Sequence, residues 1–170
     1  MYKQKKLNFG CGKVIKPKKD GWINVDLQKA KGIDKSFDFE KFPYPFDDNT
    51  FDYIFSDNVF EHLVPLDKVL QELWRISKNG AEIRFIIPYW NSSGMYQDWT
   101  HKNFLNEVGV RNLLQNPGYI HRKKNLFKEV KIKFIQNRLL RWIPVKICWA
   151  LGKFLNNMIM TMDVTAKVIK

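Results

Sequence analysis

The sequence is short of the residues from which disulfide frameworks and metal centres are built. It has two cysteines, Cys11 and Cys148, and three histidines in 170 residues. Two cysteines indicate neither a disulfide framework nor a thiolate metal site. No two histidines stand at ligand spacing, so the sequence predicts no metal centre.

The sequence also lacks an internal repeat, a low-complexity tract and a recognisable signal peptide. Its basic N-terminus runs directly into a glycine-rich turn, which is unlike a secretory leader. With 170 residues and a hydrophobic content of 45%, the chain is long enough to bury one core. We therefore expect residues 1–170 to form a single domain, located in the cytoplasm or peripherally at the inner face of a membrane.

Acidic residues are scarce in the last third of the chain. Residues 121–170 contain twelve Lys and Arg against Glu129 and Asp163, which gives them +10 of the total net charge of +12. Residues 1–120 contain 17 basic and 15 acidic residues and are nearly neutral. This distribution predicts a C-terminal basic patch that can face the phosphates of nucleic acid or anionic lipid, although a solvated basic surface explains it equally well.

One stretch, residues 7–26, organises the chain. Its sequence LNFGCGKVIKPKKDGWINVD predicts a short strand, a tight Gly10-Cys11-Gly12 turn and a second strand that ends at Asp26. Glycine allows backbone angles and close approaches that a side chain blocks. A turn directly after a strand is where open α/β sheets bind ligands, and a carboxylate ending the next strand can accept hydrogen bonds from a ribose diol. A tight turn without a ligand has the same spacing, so the motif alone is a weak signal.

The following residues predict a parallel strand–helix–strand unit. Residues 33–40 predict a short strand, and Phe51–Asp57 has the aromatic and β-branched content of a buried strand. Apolar residues at helical spacing follow Pro65, with a stop at Asn79-Gly80. Residues 81–88 predict a further buried strand, which makes the whole unit a parallel crossover.

The C-terminal part predicts a long loop, a helix and two more strands. Residues 89–102 are too long for a simple connection and leave the carboxyl end of a central strand, where functional residues concentrate. A helix capped by Thr100 or Asn103 is expected next. Residues 127–135 and 162–170 alternate like strands with one solvated face.

Between those two strands, residues 139–160 predict an inserted amphipathic helix that begins after Pro144. Its apolar face is formed by Ile147, Leu151, Phe154, Leu155, Met158 and Met162. Charged interruptions make the segment unsuited to span a bilayer. The basic flank with Trp142 and Trp149 favours an interfacial helix on an anionic membrane, whereas packing of the same face on the core is the alternative.

Taken together, these residues resemble the small S-adenosylmethionine-dependent methyltransferases of the Rossmann-like type. The matching pieces are LNFGCG, GWINVD, DFEKFPYPFDDNTFDYIFSDNVFEHL and the closing VTAKVIK. The long middle block is the most specific of them. The resemblance implies a three-layer α/β fold with a mostly parallel sheet and an antiparallel C-terminal strand, S-adenosylmethionine as the cofactor, and methyl transfer as the activity.

The resemblance also implies the cofactor-binding residues. Gly10, Cys11 and Gly12 would pass under the methionine part of the cofactor, and Asp26 would bind both ribose hydroxyls. These assignments come from the positions that match the family motif.

Four further residues complete the cofactor site that the resemblance implies. Asp38, after the third strand, would face the adenine amino group, with Phe39 beside the ring. Asp57 and Asn58, which close the fourth strand, would contact the methionine end.

The sequence departs from the family pattern in two places. The usual third glycine is Val14, and a nicotinamide-type motif would need glycine at Ile15, which argues against a dehydrogenase. Nine residues between Gly12 and Trp22 are too few for a crossover helix. We therefore expect the first crossovers to be trimmed to loops.

A hydroxyl acceptor would require a base to take its proton. His62, which follows the fourth strand, and His101, with Asp98 three residues earlier to orient its imidazole, are the candidates. Structural roles, a helix cap for His62 and a loop tie for His101, are the alternatives.

The acceptor that we expect is a hydroxyl of a sugar, glycan or lipid-linked saccharide. Four aromatic residues of the long loop predict a lid or a sugar-stacking surface, or else ordinary packing; they are Tyr89, Trp90, Tyr96 and Trp99. The basic charge makes an RNA methyltransferase an alternative, although no RNA-binding module is recognisable. A cofactor-binding but catalytically inactive partner subunit is a further alternative, because the first crossover is so short.

Overall fold

Residues 4–116 and 125–170 are described by the computed structural model, and within them seven strands form one sheet. The strands are β1 (Lys6–Phe9), β2 (Trp22–Asp26), β3 (Lys35–Ser36), β4 (Phe51–Asp57), β5 (Ser77–Pro88), β6 (Phe127–Gln136) and β7 (Ile159–Val168). Their order is β3-β2-β1-β4-β5-β7-β6. Neighbours from β3 to β5 pair in parallel, and β7 runs antiparallel between β5 and β6. The predicted fold class, a mostly parallel sheet with an antiparallel C-terminal strand, is confirmed.

Four α-helices connect the described strands: α1 (Leu66–Ile76), α2 (Ser93–Tyr96), α3 (Glu107–Gln115) and α4 (Val145–Leu151). Short 3-10 turns occupy Lys18–Asp20, Phe60–His62 and Arg138–Leu140. Buried residues of α1, α3 and α4 join those of the strands in one hydrophobic cluster. The predicted parallel crossover from β4 through α1 to β5 is confirmed.

Helix α1 ends earlier than the sequence indicates. It starts after Pro65 as predicted, but its last residue is Ile76, and Ser77 already pairs with Phe51 of β4. The Ser77 hydroxyl donates to the Leu73 carbonyl at 2.6 Å and caps the helix. The expected stop at Asn79-Gly80 was wrong, because those residues lie in β5, where the pairing with β4 shifts register.

The start of α3 also differs from the prediction. Its N-cap is Asn106, whose side chain accepts from the Gly109 N–H at 2.8 Å. The predicted cap Asn103 instead donates its amide to the carbonyls of Phe60 and Leu63. The other predicted cap, Thr100, lies in the candidate site.

The first crossover is trimmed to a loop with one 3-10 turn, as the residue count predicted. Because side chains alternate along a strand, Asn8 points away from the face where Leu7 and Phe9 are buried in the core. The Asn8 amide donates to the Val14 carbonyl at 2.8 Å and to Asn24 Oδ1 at 2.9 Å. Two buried asparagines therefore anchor a loop, in place of a helix, on this face of the sheet.

The insertion between β6 and β7 contains less helix than the sequence predicts. Only Val145–Leu151 is α-helical, because the chain turns at Gly152 and the next strand begins at Ile159. Part of the predicted apolar face, Met158 and Met162, is buried in the core, together with Cys148. Leu140, Ile143 and Trp149 are partly buried and pack against the core. Seven other apolar residues of the segment are at least 39% exposed; they are Leu139, Trp142, Val145, Ile147, Leu151, Phe154 and Leu155.

Packing on the core therefore accounts for part of the segment, and the membrane interface stays a prediction for the exposed part. Within the described residues, no helix has both the length and the apolar character needed to cross a bilayer.

Candidate functional site

A cavity of about 520 Å³ opens at the carboxyl ends of β1, β2 and β4. Its lining is formed by Asn8, Gly10, Cys11, Gly12, Lys13, Val14, Asp26, Leu27, Phe39, Phe55, Asp57, Asn58, Val59, His62 and Leu63. This is the edge at which parallel α/β sheets bind ligands. Seven of the eight residues expected to bind the cofactor line this cavity, and so does the predicted base His62.

Both glycines of the turn have a positive φ, but only Gly10 is also packed closely against a side chain. Gly10 has a φ of +68°, and a Cβ at this position would lie 2.3 Å from the Val59 side chain. Gly12 has a φ of +51°, and a Cβ there would meet no atom within 4 Å. The turn is therefore packed tightly at Gly10 and open towards the cavity at Gly12.

Asp26 is held against this turn. Its Oδ2 accepts from the Gly12 N–H at 2.7 Å, and its Oδ1 accepts from the Gln28 N–H at 3.2 Å. The Cys11 N–H donates to the Val25 carbonyl at 2.9 Å and joins the same two segments. Each carboxylate oxygen retains acceptor capacity, so the fixed carboxylate can still bind a diol.

Of the two residues expected at the adenine, Phe39 lines the cavity and Asp38 does not. Phe39 lines the cavity but is only 5% exposed, and its ring stacks on Phe9 at a centroid distance of 4.0 Å. Asp38 is not among the lining residues. Its carboxylate accepts from the Glu40 N–H and lies 3.6 Å from Lys41 Nζ. The expected contact of Asp38 with adenine is therefore not supported, because the carboxylate caps its own turn.

Asp57 and Asn58 lie at the end of β4, as the sequence predicted. The Asn58 amide donates to Asp57 Oδ1 at 2.9 Å, and Asn58 has a φ of +51°. Partial burial raises the pKa of Asp57. Both residues line the cavity.

His62 is oriented by a chain of two residues from the long loop. His62 Nδ1 lies 2.8 Å from Thr100 Oγ1, and Thr100 Oγ1 donates to Asp98 Oδ1 at 2.7 Å. The threonine has one hydroxyl proton and gives it to Asp98, so it accepts from the Nδ1–H of His62. Nε2 is thus the unprotonated nitrogen of His62, and burial together with neighbouring His101 lowers the pKa of the ring.

His101 is oriented by the backbone rather than by Asp98. Its Nδ1 lies 2.8 Å from the Met95 carbonyl oxygen. A carbonyl can only accept a hydrogen bond, so Nδ1 carries the proton and Nε2 is unprotonated. The expectation that Asp98 orients His101 was wrong, because Thr100 turns the carboxylate towards His62 instead. The two imidazole rings meet edge to face at 4.6 Å.

Glu61 is the site residue that the sequence analysis missed. It is 1% exposed, and among the described residues neither carboxylate oxygen has a hydrogen-bond partner. Its Oε1 lies 3.9 Å from His101 Nε2. Burial raises the pKa of Glu61 to about 7. The signal was the E-H-L sequence itself, but a glutamate at the start of a helical turn normally faces solvent.

The aromatic residues of the long loop have two different environments. Tyr89 is buried and donates its hydroxyl to Glu107 Oε2 at 2.9 Å, and Trp90 is partly buried against the core. Tyr96 is 65% exposed and Trp99 is 93% exposed. Packing therefore explains the first pair. Tyr96 packs on Phe104 at a centroid distance of 5.6 Å, and both Tyr96 and Trp99 keep surface that a ligand can contact.

The model of a family described as "Methyltransferase domain" matches residues 19–85. No sequence of a curated protein matches the chain. A solved S-adenosylmethionine-dependent methyltransferase from Archaeoglobus fulgidus is similar over 96% of this chain and 86% of its own, with 21% identity and a TM-score of 0.68. The resemblance to small Rossmann-like methyltransferases is thus confirmed, and S-adenosylmethionine is the cofactor that these matches support.

Two other solved structures are similar in fold. One is a chain of the complex between the Haloferax volcanii Trm112 methyltransferase activator and a methyltransferase. The two chains are 13% identical, the similarity covers 99% of this chain and 84% of the other, and the TM-score is 0.61. The other is the (4+2)-cyclase SpnF, with 14% identity, coverage of 98% and 75%, and a TM-score of 0.60. The fold therefore also occurs in a protein whose name is not that of a methyltransferase, and the site must carry the functional argument.

Proposed function

We propose that this protein transfers a methyl group from S-adenosylmethionine to a hydroxyl acceptor. The observation that carries the proposal is the junction of Gly12 and Asp26, whose 2.7 Å hydrogen bond places a glycine turn and a strand-final carboxylate on one cavity. The turn offers backbone that a side chain would block, and the carboxylate offers acceptors for a diol.

The residues present fit the cofactor. Gly12 has open space on its cavity side, and the Asp26 carboxylate is fixed but not saturated. Gly10, Cys11 and Gly12 would hold the methionine part, Asp26 the ribose, and Asp57 with Asn58 the methionine end. S-adenosylmethionine, when bound, supplies an activated methyl group on its sulfonium.

The chain's own residues have to align the acceptor, exclude water and receive a proton. His62 lines the cavity with Nε2 unprotonated, and Thr100 fixes the plane of its ring. His101 and the buried Glu61 lie directly behind it. In this proposal, His62, supported by His101 and Glu61, would take the proton of an acceptor hydroxyl.

The proposed acceptor is a hydroxyl of a sugar, glycan or lipid-linked saccharide. Two exposed aromatic rings, Tyr96 and Trp99, lie on the loop that carries Thr100 and His101. Exposed rings on this loop can stack on the apolar faces of sugars. A lipid-linked acceptor would also account for the apolar residues exposed in the insertion after β6.

The same insertion supports peripheral binding to an anionic membrane. Two hydrogen bonds connect the insertion to Asn91 of the long loop. Asn91 Nδ2 donates to the Gly152 carbonyl at 2.7 Å, and the Asn157 N–H donates to the Asn91 carbonyl. A membrane contacted by Trp142 and Phe154, which are 81% and 86% exposed, would therefore lie beside a segment that packs on the long loop.

Cofactor binding is tested by titration calorimetry with S-adenosylmethionine. Asp26→Ala should weaken binding by about 1.5–3 kcal/mol, the range for hydrogen bonds to a charged group. Asp20→Ala, which removes an exposed carboxylate of the first crossover, is the matched control and should leave the affinity unchanged. Equal affinities for wild type and Asp26→Ala would remove the ribose assignment.

The acceptor is tested with radiolabelled S-adenosylmethionine and three samples: lipid-linked or free glycans, RNA, and protein alone. Label in the glycans supports the proposal. Label in RNA would support the alternative that the net charge of +12 favours. Cofactor binding without label in any acceptor would point to a catalytically inactive partner subunit.

A further inference from the structure

Three side chains that can ligate a metal meet at the acceptor side of the cavity. Glu61, His62 and His101 each offer one ligand atom, and these atoms all lie within 4.8 Å of one another. His62 and His101 are 39 positions apart in the sequence, so the spacing of histidines gives no sign of the cluster. The fold brings them together because the Glu61 carbonyl accepts from the N–H groups of Lys102 and Asn103.

We propose that Glu61, His62 and His101 form a binding site for one divalent transition cation of the zinc type. One carboxylate and two imidazoles are a ligand set typical of such ions in catalytic sites. The buried Glu61 carboxylate, which has no hydrogen-bond partner among the described residues, is the independent observation that a ligand belongs there.

The spacing of the ligand atoms suits a small ion. Bonds of about 2.0–2.2 Å from nitrogen and carboxylate oxygen to zinc keep tetrahedral ligands roughly 3.3 Å apart. Glu61 Oε1 and His101 Nε2 are separated by 3.9 Å, which is too long for a hydrogen bond between them. A shift of a few tenths of an ångström in each side chain would bring both within bonding distance of one ion.

The outer partners of both imidazoles are those that metal-binding histidines require. A ligating histidine normally donates its other N–H to a carboxylate, a carbonyl or a similar acceptor, which fixes the ring. His101 donates Nδ1–H to the Met95 carbonyl, and His62 donates Nδ1–H to Thr100, which Asp98 supports. Nε2 of each ring is therefore left unprotonated and available as a ligand.

Three protein ligands leave at least one position of the ion open. Because His62 lines the cavity, that position is accessible to an acceptor bound beside the cofactor. A cation there would bind the acceptor hydroxyl through oxygen and lower its pKa, as metal ions do for water. With the ion bound, His62 would be a ligand and not the base, and the proton of the hydroxyl would leave to solvent. This role rests on the proposed function, whereas binding of the ion does not.

The test is titration of chelator-treated protein with ZnCl₂, followed by calorimetry, and with CoCl₂, followed by the visible absorption of bound cobalt. We expect one ion per chain. Glu61→Gln and His101→Ala should each weaken Zn²⁺ binding by at least about 100-fold, and Thr100→Val by about 10–100-fold, the range for outer partners. Asp47→Asn, which changes an exposed carboxylate outside the cluster, should bind like wild type.

Glu61→Gln keeps the shape of the side chain, and a thermal melt of each variant without metal shows that it is folded. Absence of a one-to-one site in the wild type, or Zn²⁺ affinity that survives both Glu61→Gln and His101→Ala, would overturn the proposal. S-adenosylmethionine affinity is measured on the same variants. Metal binding without methylation of any hydroxyl would overturn the proposed function and leave the metal site standing.

Discussion

The two sides of the cavity differ in how their polar groups are satisfied. On the cofactor side, formed by the turn after β1 and the end of β2, Asp26 accepts from the N–H groups of Gly12 and Gln28. On the acceptor side, formed by the residues after β4 and the long loop, Glu61 is buried with neither oxygen hydrogen-bonded within the described residues. The carboxylate of the cofactor side is hydrogen-bonded within the protein, whereas the carboxylate of the acceptor side has no hydrogen-bond partner among the described residues.

We interpret the difference as one between Asp26, whose hydrogen bonds stabilise the fold, and Glu61, whose burial is explained by a functional role. A hydrogen-bonded Asp26 stabilises the junction of the turn after β1 with β2, and it would bind a diol at little further cost. A buried carboxylate without a partner costs stability, so its retention is better explained by a role than by folding. The predictions below test whether the two sides behave as differently as their contacts indicate.

The largest effect is expected at His62. If the acceptor is a hydroxyl, His62→Ala should lower turnover by roughly 10²–10⁴-fold while S-adenosylmethionine still binds, because the ring contacts the acceptor side of the cavity. Asp98→Asn should cost less, since Asp98 is hydrogen-bonded to Thr100 and not to His62 itself. Turnover within a few-fold of wild type in His62→Ala would show that alignment alone drives the reaction.

On the cofactor side, the two glycines should respond very differently to alanine. Gly10→Ala combines a positive φ with a 2.3 Å approach to Val59, so we expect the free energy of unfolding to fall by about 2–5 kcal/mol. Gly12→Ala has only the positive φ and should cost about 1–2 kcal/mol. Urea denaturation measures both, and equal losses would mean that Val59 moves aside.

Cys11 should be a poor nucleophile despite its place in the turn. Burial, and then the negative charge of Asp26, raises the pKa of the Cys11 thiol from 9.0 to about 11. A higher pKa leaves less thiolate at pH 8, so alkylation by iodoacetamide should be about 100-fold slower than in the unfolded chain. Mass spectrometry of the Cys11 peptide measures the rate.

The Asp26→Asn variant is the control for the electrostatic part of this effect. Removing the charge should speed the labelling of Cys11 only modestly, because burial is the larger cause. Labelling of wild-type Cys11 at the rate of the unfolded chain would contradict the tight packing of the turn.

Replacing Glu61 should make the protein more stable and less active. In metal-free protein, Glu61→Leu removes two unpaired oxygens from the core and should raise the free energy of unfolding by about 1–3 kcal/mol. Glu72→Leu is the matched control, since Glu72 accepts from Arg75 and from the Tyr44 N–H. That variant should lose about 1.5–3 kcal/mol. A loss of similar size in Glu61→Leu would show that Glu61 has partners of its own.

The sequence predicts the cofactor side better than the acceptor side for a physical reason. The Gly10–Gly12 turn, Asp26 and Asp57 take their positions from strands next to them in the chain, so local patterns suffice. The acceptor side is assembled from residues 61–62 and 95–101, which meet through backbone hydrogen bonds that leave no periodic signal. Glu61 was missed for this reason, and Asp98 was paired with the wrong histidine.

Helix ends and the insertion show a second limit. Pro65 marks the start of α1, but its end depends on the pairing of Ser77 with Phe51, which is a tertiary contact. In the insertion, one apolar stripe is divided between core and solvent, because the helix stops at Leu151 and the chain changes direction. Helical periodicity cannot show such a division, since it assumes that the helix continues.

The smallest effect is expected at the surface of that insertion. We propose that its exposed apolar side chains and lysines bind an anionic membrane, each lysine contributing about 1 kcal/mol, or roughly fivefold in partitioning. Lys146→Glu with Lys153→Glu should therefore weaken sedimentation with anionic vesicles, and salt should weaken that of the wild type. Trp142→Ser with Phe154→Ser should also weaken it, because these rings are exposed and free to insert.

The free energy of unfolding distinguishes membrane binding of these residues from their packing on the core. Trp142 and Phe154 are more than 80% exposed, so their replacement should change the free energy of unfolding by less than about 0.5 kcal/mol. Val108→Ala, at a 57% exposed apolar position on α3, is the control and should leave vesicle binding unchanged. If wild type stays in the supernatant with anionic vesicles at low salt, the exposed apolar residues do not bind lipid.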